Sequence, residues 1–184
     1  MGCSLNSAAR IYAIGHSNRS YADFLELLKE YDIKTLVDIR SMPGSRKFPH
    51  FDQVNLQETL PAEGIQYVWM RELGGLRHAR KEFMSPNTGL TNPGFRAYAD
   101  FMASGEFRKA VEKLLVLAAS ATTAYMCAEA VFWRCHRRLL SDYLVANGVA
   151  VLHILGRTHA VAYRMTDGAV IAGNGLVLYP GRPV

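Results

Sequence analysis

Residues 126–138 read MCAEAVFWRCHRR and place two thiols, a carboxylate, an imidazole and several guanidiniums in one short stretch. A cysteine that ends a strand, facing a helix start and nearby arginines, has its thiol pKa lowered, and the thiolate is the form that acts as nucleophile or sulfur carrier. Cys127 holds that position. Glu129 and His136 are the residues of the stretch suited to acid/base work. Cys135 is a candidate redox or metal partner for Cys127. A packing role is the competing reading. Free cysteine is among the most buried residue types, so Cys127 can equally be the last small apolar residue of its strand. On the following helix Cys135, Leu139 and Tyr143 share one face, and His136 and Leu140 share another, so either face can be the buried one. The spacing of the two cysteines is not that of a zinc knuckle and no second pair follows, so no metal or other cofactor is expected.

Arginines suggest the second element of chemistry. Fifteen arginines stand against six lysines, and the planar guanidinium suits bidentate binding of phosphate or carboxylate. Arg40 and Arg46 lie on DIRSMPGSR, a loop stiffened by Pro43 with Gly44 free to turn, and Arg77 follows the LGG of a later loop. With Arg134 or Arg137 they would form a local positive field stronger than the net charge of +5 spread over the surface. His16 and Ser17, in GHS, are further candidate ligand-binding residues. Salt bridges to Asp38, Glu72 and Glu129 are the structural alternative for these arginines.

The elements that would position these groups follow from periodicity. Apolar runs of strand length at 11–15, 35–39, 65–70, 123–127 and 149–155 alternate with helical patterns. Ser20 precedes a helical run carrying Phe24, Leu27, Leu28 and Tyr31. A helix over 51–64 is interrupted near Pro61, helical spacing over 95–119 breaks at Ser104 and Gly105, and a helix over 134–147 ends at Gly148. Residues 71–94 form a long polar, glycine-containing segment of the kind that is often functional. The last part, with Asp-Gly and Asn-Gly turns between short apolar runs, predicts a small hairpin or meander. Alternating strands and helices predict an α/β, three-layer fold, Rossmann-like or rhodanese-like, with about five mainly parallel strands and a small C-terminal β extension. Ligands in such folds sit at the carboxyl ends of the strands, where His16, Ser17, Arg40, Arg46, Arg77 and the stretch from Cys127 to Arg134 fall.

A chain of 184 residues, 49% hydrophobic, suits one domain over 11–184 behind a flexible tail of residues 1–10. Charges interrupt every apolar run before it reaches membrane-spanning length, and the start lacks the apolar run of a signal peptide, so a cytoplasmic protein without membrane contact is expected. Three cysteines do not make a disulfide framework in a chain this long. A pI near 9.2 and the interleaved aromatic and basic residues of RKFPHF and VFWRCHRR allow nucleic acid as partner. Trp133 reads more readily as core than as a stacking platform, and no helix-turn-helix, zinc finger or ribonucleoprotein motif is present.

IGHSNRS, LVDIRSMPGSR, ELGGLR and MCAEAVFWRCHRR followed by VLHIL resemble, in order and spacing, an uncharacterised bacterial domain-of-unknown-function family, number four hundred and eighty-eight. The likeness covers residues 11 to about 180 and brings no established activity. The segment 123–156 also looks like the end of a rhodanese sulfurtransferase domain, and LVDIR like its opening strand. That architectural likeness implies a persulfide-carrying cysteine at Cys127. The loop departs from the related phosphatase pattern: Cys127 and Arg134 are one residue further apart, and Val131, Phe132 and Trp133 stand where small residues would be. Two functions follow as expectations: an enzyme with a cysteine nucleophile or sulfur carrier acting on a phosphorylated or other anionic substrate, or a non-catalytic nucleic-acid or nucleotide-binding module that uses the same arginines. The sequence sets no oligomeric state.

Overall fold

The computed structural model describes residues 10–78 and 83–181. The expected N-terminal tail lies outside the described residues except for Arg10, which is the first residue of a strand. β1 (Arg10–Gly15), β2 (Thr35–Asp38), β3 (Gln66–Trp69), β4 (Thr123–Cys127), β5 (Ala150–Gly156) and β6 (His159–Ala162) form one sheet in the order β3-β2-β4-β1-β5-β6. The first five are parallel and β6 returns antiparallel to β5. The sheet thus has one strand more than the periodicity shows, because the first run of the C-terminal extension joins it as an edge. β7 (Val170–Ile171) and β8 (Val177–Leu178) form the predicted hairpin. Its connection holds Asn174 and Gly175 at positive φ, which is what an Asn-Gly turn supplies.

Among the described residues five α-helices cover the sheet: α1 (Tyr21–Glu30), α2 (Gln53–Thr59), α3 (Pro93–Met102), α4 (Gly105–Ser120) and α5 (Arg137–Ala146). Local chemistry marks their ends. The Ser20 hydroxyl accepts the Asp23 amide at the start of α1, and Ser104 accepts that of Phe107 where α3 gives way to α4. α2 stops before Pro61, after which a short 3-10 turn ends at Gly64 with φ +73°.

Period-two alternation along the strands sorts side chains into two cores. Ile14, Leu36, Ala124, Met126 and Ile154 pack with Phe24, Leu27 and Leu28 of α1 and Leu56 of α2. Ile11, Ala13, Val37, Tyr125, Cys127 and Val151 face the other way, onto α3, α4 and α5. The layers are therefore α1 and α2, the sheet, and α3 to α5. Right-handed crossovers give this result: the chain moves toward β3 on one face and returns toward β5 on the other. The reversal lies between β1 and β4, adjacent strands whose following helices leave to opposite faces. That switch point is where doubly wound sheets bind ligands. Gly15 and Cys127, the last residues of the two strands, are register partners there. No helix among the described residues is long and apolar enough to cross a membrane.

Candidate functional site

Cys127 ends β4 with its side chain on the α5 face, and the chain then runs through an exposed loop and a short 3-10 turn, Phe132–Arg134, before α5 begins. This detour brings Cys135 and His136 back under the strand end, so both helix faces that the sequence offered are buried. The two Sγ atoms are 2.8 Å apart. A disulfide would need about 2.05 Å, and two thiolates on a tetrahedral zinc, with bonds of about 2.3 Å, would stand about 3.8 Å apart. The separation is longer than a disulfide bond and shorter than an ordinary contact of two sulfurs, so a small movement would join the pair as a disulfide. The Nδ1 of His136 is 3.5 Å from Cys135 Sγ and 3.9 Å from Cys127 Sγ.

Electrostatics divide the pair. The Cys135 thiol donates to Cys127 and, with His136 and Arg137 close by, holds Cys127 well below the ordinary thiol range although burial acts in the opposite sense. Cys135 is pushed up by the same hydrogen bond and by its own burial. The pair is a thiolate with an attached proton donor. His136 Nε2 lies 3.2 Å from the Ile39 carbonyl and must donate to it, which leaves Nδ1 to exchange a proton with the sulfurs. Cys127, Cys135 and His136 present three metal-ligating atoms within 4.8 Å of one another. Their sulfur separation does not fit a zinc or similar ion without movement of the pair.

Glycines bring the loops this close. A side chain at Gly15 would overlap the Glu129 carbonyl oxygen, and one at Gly75 would overlap the imidazole of His136. The Gly74–Gly75 stretch of the β3 loop therefore lies directly on His136, whose ring centroid is 5.2 Å from that of Tyr98.

The predicted arginines separate into distinct roles. Arg40 is buried and spent: Nε lies 2.9 and 3.0 Å from the two Asp38 carboxylate oxygens, Nη2 also donates to the Phe51 carbonyl, and Tyr67 donates to the same carboxylate at 2.7 Å. Asp38 neutralises it, as the salt-bridge alternative requires. The Arg77 guanidinium lies 3.6 Å from the Phe101 ring centroid and donates to the Gly74 and Glu72 carbonyls. It faces a separate cleft of about 390 Å³ lined also by Phe83, Ala97 and Asp100. Arg46 and Arg134 are exposed. Arg137 alone of the set is fully buried beside the thiols, donating through Nη2 to the Glu129 carbonyl, with its Nε unpartnered. The contact with Glu129 is to its main chain; the Glu129 residue is exposed, so an Arg137-held general base is not what these residues build.

His16 Nδ1 donates to the Ser17 carbonyl at 2.9 Å, so Nε2 accepts from Arg40 Nη1 at 3.2 Å. Burial and the adjacent Arg40 lower its pKa to about 4. It stacks on Phe51, 4.2 Å between ring centroids. His16 is thus a neutral structural link between the β1 loop and the Asp38–Arg40 pair. Ser17, at φ 53°, donates to Asn18. Phe48, His50 and Phe51 pack on one another and on His16, so the aromatics of RKFPHF are engaged within the chain. Trp133, read from the sequence as core, is 52% exposed, because the 3-10 turn aims it outward.

Two groups escaped the sequence reading. Arg19, four residues after Gly15, reaches back to donate to the Gly15 carbonyl and to the Leu155 carbonyl at 3.0 Å. The only available signal was its place in the loop after β1. His153, in the apolar run of β5, is buried with Nε2 3.0 Å from Ser141 Oγ and Nδ1 unpartnered, and burial lowers its pKa to about 3.

A search of curated proteins found no match, and neither did a search of solved structures. The family model described as "Domain of unknown function DUF488" matches residues 20–144, a span that holds Cys127, Cys135, His136 and Arg137 together with the Arg40 and Arg77 loops. The chain belongs to the DUF488 family.

Proposed function

We propose that this protein is a thiol enzyme in which the Cys127 thiolate takes sulfane sulfur from a small anionic donor and Cys135 discharges it. The observation that carries this reading is the pair of sulfurs 2.8 Å apart at the switch point of the sheet. Phosphoryl or glycosyl transfer to a cysteine would gain nothing from a second thiol at that distance. Sulfur transfer would, since the second thiol is the group that resolves a persulfide. Cys127 Sγ attacks the terminal sulfur of a thiosulfonate or thiosulfate; the new S–S bond forms as the donor S–S bond breaks, and sulfinate or sulfite leaves with the electron pair. Cys135, losing its proton to His136 Nδ1, attacks Cys127 Sγ. Hydrosulfide leaves, and the disulfide Cys127–Cys135 remains. An external dithiol reductant returns the pair to its starting state.

Incubation with thiosulfate or a thiosulfonate, followed by sulfide release and peptide mass spectrometry, tests this. The wild type is expected to release one sulfide per disulfide formed. Cys135→Ser should accumulate a persulfide on Cys127, and Cys127→Ser should do neither. Equal sulfide release from Cys127→Ser would overturn the reading.

A second reading, nucleic-acid binding without turnover, is favoured by the exposed Trp133 beside the exposed Arg134. An aromatic face next to a guanidinium suits stacking of a base with a phosphate contact. It requires that Trp133→Ala and Arg134→Ala weaken single-stranded RNA or DNA binding while Cys127→Ser leaves it unchanged, with a steep loss of affinity on adding salt.

A further inference from the structure

Two guanidiniums flank the carboxyl end of β1, and among the described residues no carboxylate pairs with either. Arg137 is 1% exposed, fixes the β4 loop through the Glu129 and Ala130 carbonyls, and keeps a buried Nε without a partner. Arg19 comes from the other side, bridging the carboxyl ends of β1 and β5 through the Gly15 and Leu155 carbonyls. Gly15 lies between them: its carbonyl accepts from Arg19, and a Cβ built on it would stand 2.8 Å from Arg137 Nη2.

Carbonyl partners orient a guanidinium but do not neutralise it. A buried ion without a counter-charge is disfavoured, so the fully buried Arg137 is informative, and Arg19 beside it is half-buried. Arg40 is balanced by Asp38. Arg19 and Arg137 supply two positive charges, and the Cys127 thiolate supplies one negative. Asp23 acts on Arg19 from a distance without pairing with it, so among the described residues neither guanidinium has a carboxylate in contact, and Arg137 keeps an unfilled donor. We propose that Arg19 and Arg137 form an oxyanion subsite at the carboxyl end of β1, which holds the sulfonate, sulfate or phosphate group of the substrate beside Cys127. Consistent with two cations sharing one small volume, burial and the nearby Arg137 lower the pKa of Arg19. α5 adds its N-terminus, with no side chain capping it and no acidic residue in its first turn.

This assignment rests on the thiol reading for its substrate but not for its anion, and the two can be tested apart. Sulfate and inorganic phosphate are titrated by calorimetry into wild type, Cys127→Ser, Arg19→Gln and Arg137→Lys, at constant chloride. The same anions are tested for protection of Cys127 against the neutral alkylator iodoacetamide. Saturable binding that survives Cys127→Ser, falls at least tenfold in Arg19→Gln and protects Cys127 is the expected result. Arg137→Lys keeps the buried charge, so the fold is spared, while removing the fork, and it is expected to bind more weakly than wild type. Adenosine monophosphate, run as a further arm, separates a free oxyanion from a nucleotide phosphate by whether it binds more tightly than inorganic phosphate. Absence of binding to the wild type, or equal binding to Arg19→Gln, overturns the subsite. Binding without sulfide release from thiosulfate would leave the subsite standing and remove the sulfur-transfer chemistry.

Discussion

At the scale of single residues, the chemistry of this site depends on which group supplies a proton to which sulfur. Cys135 is the main influence holding Cys127 in its thiolate form, so Cys135→Ala should move Cys127 alkylation to higher pH, toward the roughly 8.5 of a free cysteine. The rate of iodoacetamide modification at Cys127, followed by mass spectrometry across pH 5 to 10, reads this directly. An unchanged profile would mean that Cys135 does not set the thiolate. The Asp38–Arg40 pair makes an opposite kind of demand. Both groups are buried, and removing one partner of such a pair typically costs about 3 to 5 kcal/mol because the other charge is left behind. Asp38→Asn should therefore lower the unfolding free energy in urea by that order. A loss under 1 kcal/mol would show that the pair is not desolvated as its burial implies.

At the scale of elements, the site is made by two strand ends and the three loops that meet over them. Gly75 of the β3 loop lies against His136, where a Cβ would overlap the ring, and Tyr98 packs near the same ring. A methyl group at position 75 must push the imidazole off its place between Ile39 and the sulfurs. Gly75→Ala should then lose about 1 to 3 kcal/mol through overpacking and also raise the pH at which Cys127 reacts, as seen by the same alkylation profile. Full stability with an unshifted profile would show that the loop does not hold the ring. Much at this scale is readable from sequence. Each of the five parallel strands is an apolar run with a helix between it and the next, and Ser20, Pro61, Ser104 and Gly148 mark helix ends through local chemistry alone. Cys127, Cys135 and His136 were legible because they are close in the chain as well as in space. The partition of the arginines was not. Whether a guanidinium is spent on Asp38, laid on Phe101 or left unpaired depends on loop paths that no periodicity encodes, and so Arg40 and Arg77 read the same as Arg137. Arg19 was missed because an arginine in a polar loop looks solvated until its reach back to Gly15 is known.

At the scale of the whole molecule, two imidazoles buried neutral on separate strands couple the fold to pH. His16 follows β1 and is held by Ser17 and Arg40, while His153 lies in β5 between Phe132 and Tyr163. Their folded pKa values, about 4 and about 3, lie below the 6.5 of the free imidazole. In the pH window between these values the unfolded chain binds protons that the fold refuses. Stability from both groups is thus fully present above pH 6.5 and is lost as pH falls, for His16 down to about 4 and for His153 down to about 3. At 1.36 kcal/mol per unit the shifts are worth of order 3 kcal/mol for His16 and 5 kcal/mol for His153. Near pH 5 both unfolded imidazoles are mostly charged, so the unfolding free energy should drop by about 2.7 kcal/mol per pH unit, two protons' worth. His153→Gln keeps an amide to meet Ser141 and removes one titrating ring, so urea unfolding at pH 7, 6, 5 and 4.5 should show a slope reduced toward one proton. A wild-type slope retained by His153→Gln would mean that His153 is protonated in the fold and that the Tyr125–Ser141–His153 chain of hydrogen bonds carries its charge. A halved slope would place the acid sensitivity of the protein in two rings that lie outside the thiol pair. Low-pH loss of thiol reactivity could then be separated into titration of the site and unfolding of the frame that holds it.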